Sequence, residues 1–151
     1  MILISHRGNI AGPNLEKENK ISYIESAISK GFDVEVDVWL YNGNLFLGHD
    51  RPEYRVDIGF LKMNSIWAHA KTIDTLKVLK DSGVHCFVHD SDIATLTSKG
   101  FIWVHPKQHL VPGSVCVMPE KGFYGNIREC HAICSDYVGM EGIKNEDFFK
   151  N

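Results

Sequence analysis

Hydrophobic runs of the roughly 20 residues needed to cross a bilayer are missing from this sequence. The first residues turn polar at Ser5 and His6, too soon for the apolar core of a secretory signal. Low-complexity stretches, charge blocks and linker-like segments are also absent. For 151 residues, these absences predict a single domain, 1–151, in the cytoplasm and without stable membrane insertion.

Cysteine is scarce, and the four cysteines form no CxxC pair. Each lies in or beside an apolar run, so reduced core thiols are expected in preference to a disulfide or a zinc site. An excess of positive charge is also lacking, because the net charge is −3 and the basic residues are scattered. The composition therefore predicts no nucleic-acid partner.

Short apolar runs of β-forming residues recur along the chain, at 2–5, 34–40, 66–70, 84–88, 101–104, 114–118 and 132–135. They are apolar on both faces, which is typical of buried parallel strands. Helical patterns between them predict three helices. The first runs from Ile21 to a stop at Gly31, the second from Thr72 to Gly83, and the third from Ser91 to Gly100. Asn42-Gly43 predicts a tight hairpin after the second run.

Nearly every run ends in polar or ionisable residues. The carboxyl ends of all strands of a (β/α) barrel meet at one mouth, whereas an open sheet concentrates such residues at one switch point. The even distribution predicts an α/β fold of the TIM-barrel type. Because such a barrel takes about 250 residues, we expect a compact one, with short or missing helices after Val104 and Met118 and a β-hairpin after the second strand.

Ionisable motifs cluster in the first fifty residues, and they are Ser5-His6-Arg7-Gly8, Glu18-Asn19, Glu35-Val36-Asp37 and Gly48-His49-Asp50. Glu35 and Asp37 lie two apart on a predicted strand, so they point the same way. They could form a solvated face, but the flanking apolar residues predict a central strand. Buried carboxylates need a compensating cation, and Mg²⁺ or Ca²⁺ suits oxygen ligands.

In this order and near this spacing, the motifs resemble the glycerophosphodiester phosphodiesterase family and its phosphatidylinositol phospholipase C-like superfamily. That family shows HRG after the first strand, Glu-Asn before the first helix, ExD on the second strand and His-Asp after a hairpin. Later in the chain, Ala68-His69-Ala70-Lys71 falls where the family's third strand carries Glu-x-Lys, and Ser135-Asp136-Tyr137 resembles its closing strand.

The resemblance implies a metal-dependent phosphodiesterase that hydrolyses a glycerophosphodiester or a related small phosphodiester. The implied roles are an acid–base pair of His6 and His49, phosphate binding by Arg7 and Lys71, a divalent metal site of Glu35, Asp37 and His69, and support from Glu18, Asn19 and Asp50. Which histidine is the base stays open. Glu18-Asn19 could orient Arg7, touch the metal or form the acidic first turn of a helix.

His69 departs from the family, which has a carboxylate ligand at that place. A histidine weakens the case for Ca²⁺ and favours Mg²⁺, Mn²⁺ or another first-row ion, and it could equally leave the site weak or empty. Strand-end residues such as His89, Asp90, His105 and Glu120 could line the mouth or be solvated.

Two alternatives to the soluble diesterase stay open. One is a phosphate-binding barrel without turnover. The other is a phospholipase-type headgroup hydrolase, which would need an exposed apolar rim of the kind suggested by Phe123-Tyr124 and Phe148-Phe149. A homodimer that covers the missing helices is also a prediction.

Overall fold

The computed structural model of the protein describes residues 1–143 and 148. The strands are β1 (Ile2–His6), β2 (Asp33–Tyr41), β3 (Asn44–Leu47), β4 (Tyr54–Arg55), β5 (Ile66–Ala70), β6 (Cys86–Phe87), β7 (Ala94–Leu96), β8 (Ile102–Val104), β9 (Val115–Val117) and β10 (Ala132–Ser135). The α-helices are α1 (Ile21–Ser29), α2 (Ile58–Leu61) and α3 (Ile73–Asp81), and 3₁₀ helices cover Pro119–Lys121 and Ile127–Glu129.

The strands form one curled, mixed sheet that resembles half of a barrel. Its order is β4-β3-β2-β1-β10-β9-β8-β7, and β5 and β6 continue from the other side of β2. The strands β6, β5, β2, β1, β10, β9 and β8 pair in parallel in that order. Their carboxyl ends therefore meet at one end of the curl.

The predicted TIM-type barrel is wrong. Such a barrel needs eight strand–helix repeats, but the described residues contain three α-helices, one of them four residues long. The reason is visible in the connections after β8 and β9, where prolines and glycines interrupt any helical pattern; they are Pro106, Pro112, Gly113, Pro119, Gly122 and Gly125. These segments cross the surface as turns and 3₁₀ helices, so within residues 1–143 no outer ring of helices surrounds the sheet.

Two of the three predicted helices are confirmed. Helix α1 begins at Ile21, and helix α3 begins after Thr72, whose hydroxyl accepts a hydrogen bond from the backbone N–H of Thr75 at 3.2 Å. The third prediction, between residues 91 and 100, is wrong. That segment contains β7, which pairs antiparallel with β8. Cross-strand pairing outweighs local helix propensity here, as it commonly does for short segments.

The predicted hairpin is confirmed between β2 and β3. Asn42 and Gly43 have φ angles of 47° and 73°, as a two-residue turn with the right twist for a hairpin requires. The two strands then pair antiparallel, with Leu40 opposite Leu45 and Tyr41 opposite Asn44.

Side-chain alternation along β2 separates an outer core from the interior of the curl. Val34, Val36 and Val38 are fully buried in the outer core together with residues of α1 and α3, such as Ile24 and Leu79. The residues between the valines, Glu35 and Asp37, point inward because strand side chains alternate between faces. The apolar part of the interior contains Ile4, Trp67, Phe87 and Trp103.

The four cysteines are buried and unpaired. None of the helices in the described part of the chain combines the length and the hydrophobicity of a membrane span.

A buried histidine at the other end of the curl predicts acid sensitivity. His85 packs on Trp67 with ring centroids 4.2 Å apart, and its Nε2 lies 2.9 Å from the Thr97 hydroxyl. Burial, and then the charge of Lys99, lower the pKa of His85 to about 4. The unfolded chain takes up this proton near pH 6.5, so the stability contributed by neutral His85 is complete above that pH and is lost as the pH falls towards 4.

Between pH 7 and pH 5, we therefore expect the free energy of unfolding of wild type to fall by on the order of 1 kcal/mol more than that of a His85→Gln variant. This magnitude allows for solvent screening. Urea unfolding at the two pH values measures the difference. His109→Gln, at an exposed histidine, is the control and keeps the wild-type pH dependence. Parallel pH profiles for wild type and His85→Gln would contradict the expectation.

Candidate functional site

A cavity of about 710 Å³ opens at the carboxyl ends of the parallel strands. The predicted site residues on its wall are His6, Arg7, Glu18, Glu35, His49, His69 and Lys71. Asp37 and Asn19 are almost completely buried and touch these residues from behind. The Asp50 side chain is 88 % exposed and reaches the site only through His49. The structure thus brings together residues that are far apart in the chain.

Two carboxylates on β2, Glu35 and Asp37, and His69 on β5 form a group that could hold a metal ion. Ligand atoms of Glu35, Asp37 and His69 lie within 4.8 Å of one another, and all three residues are buried. His69 Nδ1 is 3.1 Å from Asp37 Oδ1 and 3.7 Å from Glu35 Oε1. Parallel pairing places His69 directly opposite Asp37, which explains the convergence.

Asp37 is compensated by protein groups. The Asn19 side chain donates to Asp37 Oδ2 at 2.9 Å and accepts from the Asp37 backbone N–H at 3.0 Å. Arg7 Nε lies 2.8 Å from Asp37 Oδ2, and Lys71 Nζ lies 3.2 Å from Oδ1. Burial favours the neutral acid, but the hydrogen bond from His69 and the charges of Arg7 and Lys71 outweigh it and hold the pKa of Asp37 well below its usual range.

Glu35 lacks such compensation. Its Oε2 is buried without a hydrogen-bond partner among the described residues, and His6 Nε2 lies 3.8 Å from this oxygen. Burial, and then the charge of Asp37, raise the pKa of Glu35. A buried carboxylate without a partner is costly unless a cation binds it. The residues present could therefore hold a metal ion, with oxygen ligands from the two acids and nitrogen from His69.

His69 Nδ1 faces a carboxylate that stays ionised, so this nitrogen carries a proton when no metal is bound. Nδ1 has to lose that proton before it can ligate a metal ion.

His6 forms a pair with Asp136, a residue that the motif pattern did not place in the site. His6 Nδ1 lies 2.8 Å from Asp136 Oδ1. An ionised carboxylate only accepts hydrogen bonds, so Nδ1 donates, and Nε2 is left facing Glu35. Burial lowers the pKa of His6, but the hydrogen bond to Asp136 and the charge of Glu35 outweigh it and hold this pKa above its usual value.

Asp136 directly follows β10, which lies next to β1 in the sheet. In the sequence, Asp136 is distinguished only by its position after an apolar run, in the segment that resembles the family's closing strand. Glu120 helps to hold this segment, because its carboxylate accepts from the Ser135 hydroxyl at 3.0 Å and from the Asp136 backbone N–H at 3.2 Å.

His49 lies at the rim of the cavity, and the backbone of the residue before it, Gly48, has a conformation that only glycine can adopt there. Gly48 has φ +151°, and a Cβ atom there would lie 2.1 Å from the Arg51 carbonyl oxygen. The Gly48 carbonyl also accepts a hydrogen bond from Trp39 Nε1 at 2.7 Å. The His49 side chain is 46 % exposed, and its Nδ1 lies 2.7 Å from Asp50 Oδ1. His49 is thus open to solvent, whereas His6 is enclosed.

Glu18 and Asn19 have separate roles. Glu18 Oε2 accepts from Arg7 Nη1 at 3.2 Å, so Glu18 orients Arg7, one of the options that the sequence left open. Neither residue belongs to a helix, since α1 begins at Ile21. Asn19 is in the left-handed region with φ 61°, which turns its side chain back onto Asp37.

Three imidazole rings form one wall of the cavity. His69 stacks on His89, and His89 contacts His105, each pair with centroids 4.2 Å apart. Burial, and then the neighbouring His69 and His105, lower the pKa of His89 to about 4. Burial likewise lowers the pKa of His105. His89 is therefore uncharged at neutral pH.

Comparisons of the chain with protein-family profiles, with curated proteins and with solved structures found no match. We therefore infer function from the geometry of the site together with the motif resemblance. Of the residues suggested for an apolar rim, Tyr124 is 64 % exposed, and Phe149 lies outside the described residues.

Proposed function

We propose that the protein is a metal-dependent phosphodiesterase that hydrolyses a glycerophosphodiester or a related small phosphodiester. The observation that carries the proposal is that His6, oriented by Asp136, shares one cavity with the group that could hold a metal ion. Cleavage of a phosphodiester requires neutralisation of charge on oxygen, activation of a nucleophile and protonation of the leaving alkoxide. The site contains a residue suited to each requirement.

Glu35, Asp37 and His69 would hold the ion, and Mg²⁺ or Mn²⁺ suits their mixed oxygen and nitrogen donors better than Ca²⁺. When bound, a divalent ion supplies positive charge for the phosphoryl oxygens and lowers the pKa of a coordinated water or hydroxyl.

His6 and His49 are the proposed acid–base pair. Because Asp136 holds the proton on His6 Nδ1, the atom that exchanges a proton with the substrate is Nε2. His49 is on the same cavity wall and open to solvent, so it can exchange its proton with bulk water between turnovers.

Arg7 and Lys71 are the proposed phosphate-binding cations. Both already contact Asp37, so a phosphate oxygen would share them with this carboxylate. Their pairing keeps the two side chains in place before substrate arrives, which lowers the entropy cost of binding.

The direct test is release of glycerol 3-phosphate from a panel of glycerophosphodiesters. Chelator-stripped protein is assayed alone and with Mg²⁺, Mn²⁺ or Ca²⁺ added back. We expect release only with added metal, strongest with Mg²⁺ or Mn²⁺, and we expect none from a Glu35→Gln variant.

Glu25→Gln, at an exposed glutamate on α1, is the matched control and should behave as wild type. Absence of release with every ion and every diester would contradict the proposal. Equal release by stripped protein and by metal-loaded protein would contradict the metal dependence.

A further inference from the structure

Asn9 is a buried polar residue directly after the His6-Arg7-Gly8 turn, and it has no role so far. It is 0 % exposed. Its backbone N–H donates to the His6 carbonyl at 2.9 Å, and its own carbonyl accepts from the Ser5 hydroxyl at 2.8 Å. The backbone of Asn9 is thus fixed to the end of β1.

The side-chain amide of Asn9 uses its full hydrogen-bonding capacity. Nδ2 donates to Glu18 Oε1 and to Asp136 Oδ1, both at 2.8 Å. Oδ1 accepts from the Asn14 backbone N–H at 3.1 Å and from the Tyr23 hydroxyl at 3.3 Å. A backbone N–H can only donate and an ionised carboxylate can only accept, so these partners allow one orientation of the amide.

The two carboxylates that Asn9 contacts are those that orient the two site residues before it. Asp136 holds His6 through Nδ1, and Glu18 holds Arg7 through Nη1. Two carboxylates facing one buried group repel each other unless hydrogen-bond donors lie between them. The two hydrogens of one amide nitrogen meet this need without adding charge.

We propose that Asn9 is a positioning residue. Its one amide nitrogen holds both Asp136 and Glu18, and these two carboxylates in turn fix His6 and Arg7 relative to each other. The inference deepens the proposed diesterase function and rests on it only where turnover is the readout. Asn9 touches neither the cavity's metal-ligand group nor the reacting atoms, and it acts through its two carboxylate partners.

The test is the isosteric variant Asn9→Asp. It keeps the acceptor for Asn14 and Tyr23 but turns a third carboxylate oxygen towards Glu18 and Asp136. We expect kcat/KM for the diester to fall about 10- to 100-fold, as for other residues that orient a reacting group. Most of the loss should be in kcat, because His6 acts in the chemical step.

A second readout does not depend on turnover. In metal-free protein at fixed pH, the NMR signal of the His6 Nδ1 proton reports its hydrogen bond to Asp136. We expect this signal to shift or broaden in Asn9→Asp. If wild type releases no product from any diester, the proposed function fails, but this signal still decides whether Asn9 positions His6.

The matched control is Asn126→Asp. Asn126 likewise donates from Nδ2 to a carboxylate, that of Glu129, at 2.9 Å, and its Oδ1 accepts from the Arg128 backbone N–H at 3.0 Å. It belongs to a surface turn away from the cavity. We expect Asn126→Asp to keep wild-type turnover and an unchanged His6 signal.

The double variant Asn9→Asp/Glu18→Gln restores the charge and gives the new carboxylate a donor from the new amide. We expect it to recover the fold, if Asn9→Asp loses it, and to recover part of the His6 signal. A folded Asn9→Asp protein with wild-type kcat and an unchanged His6 signal would overturn the inference. A second outcome would also overturn it. If the His6 signal of the double variant equals that of wild type, and Glu18→Gln alone leaves the signal unchanged, then the amide of residue 9 is not needed to position His6.

Discussion

Replacement of His6 by alanine is expected to lower turnover of the diester by about 10²- to 10⁴-fold, the range typical of a general acid–base group. The expectation follows from geometry. Asp136 fixes the Nδ1 proton of His6, and Nε2 faces Glu35 on the wall of the cavity. Loss of the ring removes the proton-exchanging atom and leaves Asp136 without its strongest partner.

His6→Asn separates these two effects. Its side-chain amide can still donate to Asp136 but cannot exchange a proton, so turnover should fall as far as in His6→Ala while the thermal midpoint stays closer to wild type. Steady-state kinetics and thermal unfolding measure the two quantities. His109→Ala, at an exposed histidine outside the cavity, is the control. Turnover near the wild-type level in both His6→Ala and His49→Ala would exclude the acid–base pair.

Glu35→Gln and Asp37→Asn should change the stability of the metal-free protein in opposite directions. Asp37 is compensated by Arg7, Lys71 and Asn19, so Asp37→Asn leaves two cations without their shared partner. Removal of one partner from a buried ion pair typically costs 3–5 kcal/mol. Because both cations keep some solvent contact, we expect a loss of about 3 kcal/mol, at the low end of that range.

Glu35→Gln removes a buried carboxylate whose Oε2 has no hydrogen-bond partner among the described residues. The raised pKa of Glu35 means that its contribution to stability is complete below its unfolded pKa and is lost as the pH rises through the folded value. We therefore expect Glu35→Gln to be at least as stable as wild type at neutral pH in chelator, and to lack this loss on the alkaline side.

The Glu35→Gln variant also tests the metal site. A ligand at 100 times its Kd stabilises a protein by about 2.7 kcal/mol, so Mg²⁺ or Mn²⁺ should raise the thermal midpoint of wild type by several degrees. We expect no such rise in Glu35→Gln, whereas Glu25→Gln should respond as wild type. A metal-induced rise that persists in Glu35→Gln would place the ion elsewhere.

Local patterns predicted those parts of the fold that depend on local physics. The 3.6-residue spacing after Ile21, the cap at Thr72 and the Asn42-Gly43 turn each specify an element through contacts within a few residues. The segment 91–100 shows where this fails. Its helical spacing is weak, and its backbone gains more by pairing with β8, a partner that no local pattern indicates.

The prediction of the overall architecture failed for a related reason. The polar strand ends do meet at one end of the sheet, as the barrel prediction required, but the number of helices depends on segments rich in proline and glycine. Parallel pairing between neighbouring strands can curl a sheet without a full ring of helices around it. The strand-end pattern reports where strands end and carries no information on what covers their outer face.

The sequence by itself determined that Glu35 and Asp37 of β2 share one face and the valines between them the other, because side chains alternate between the two faces of any strand. Tertiary structure alone decided that Asp37 is compensated while Glu35 is not, because Arg7, Asn19 and Lys71 reach Asp37 from three separate segments. It alone joined His6 to Asp136 across 130 residues, through the pairing of the first strand with the last. Charge compensation and hydrogen bonding depend on distances in space, and these are set only when the sheet has formed.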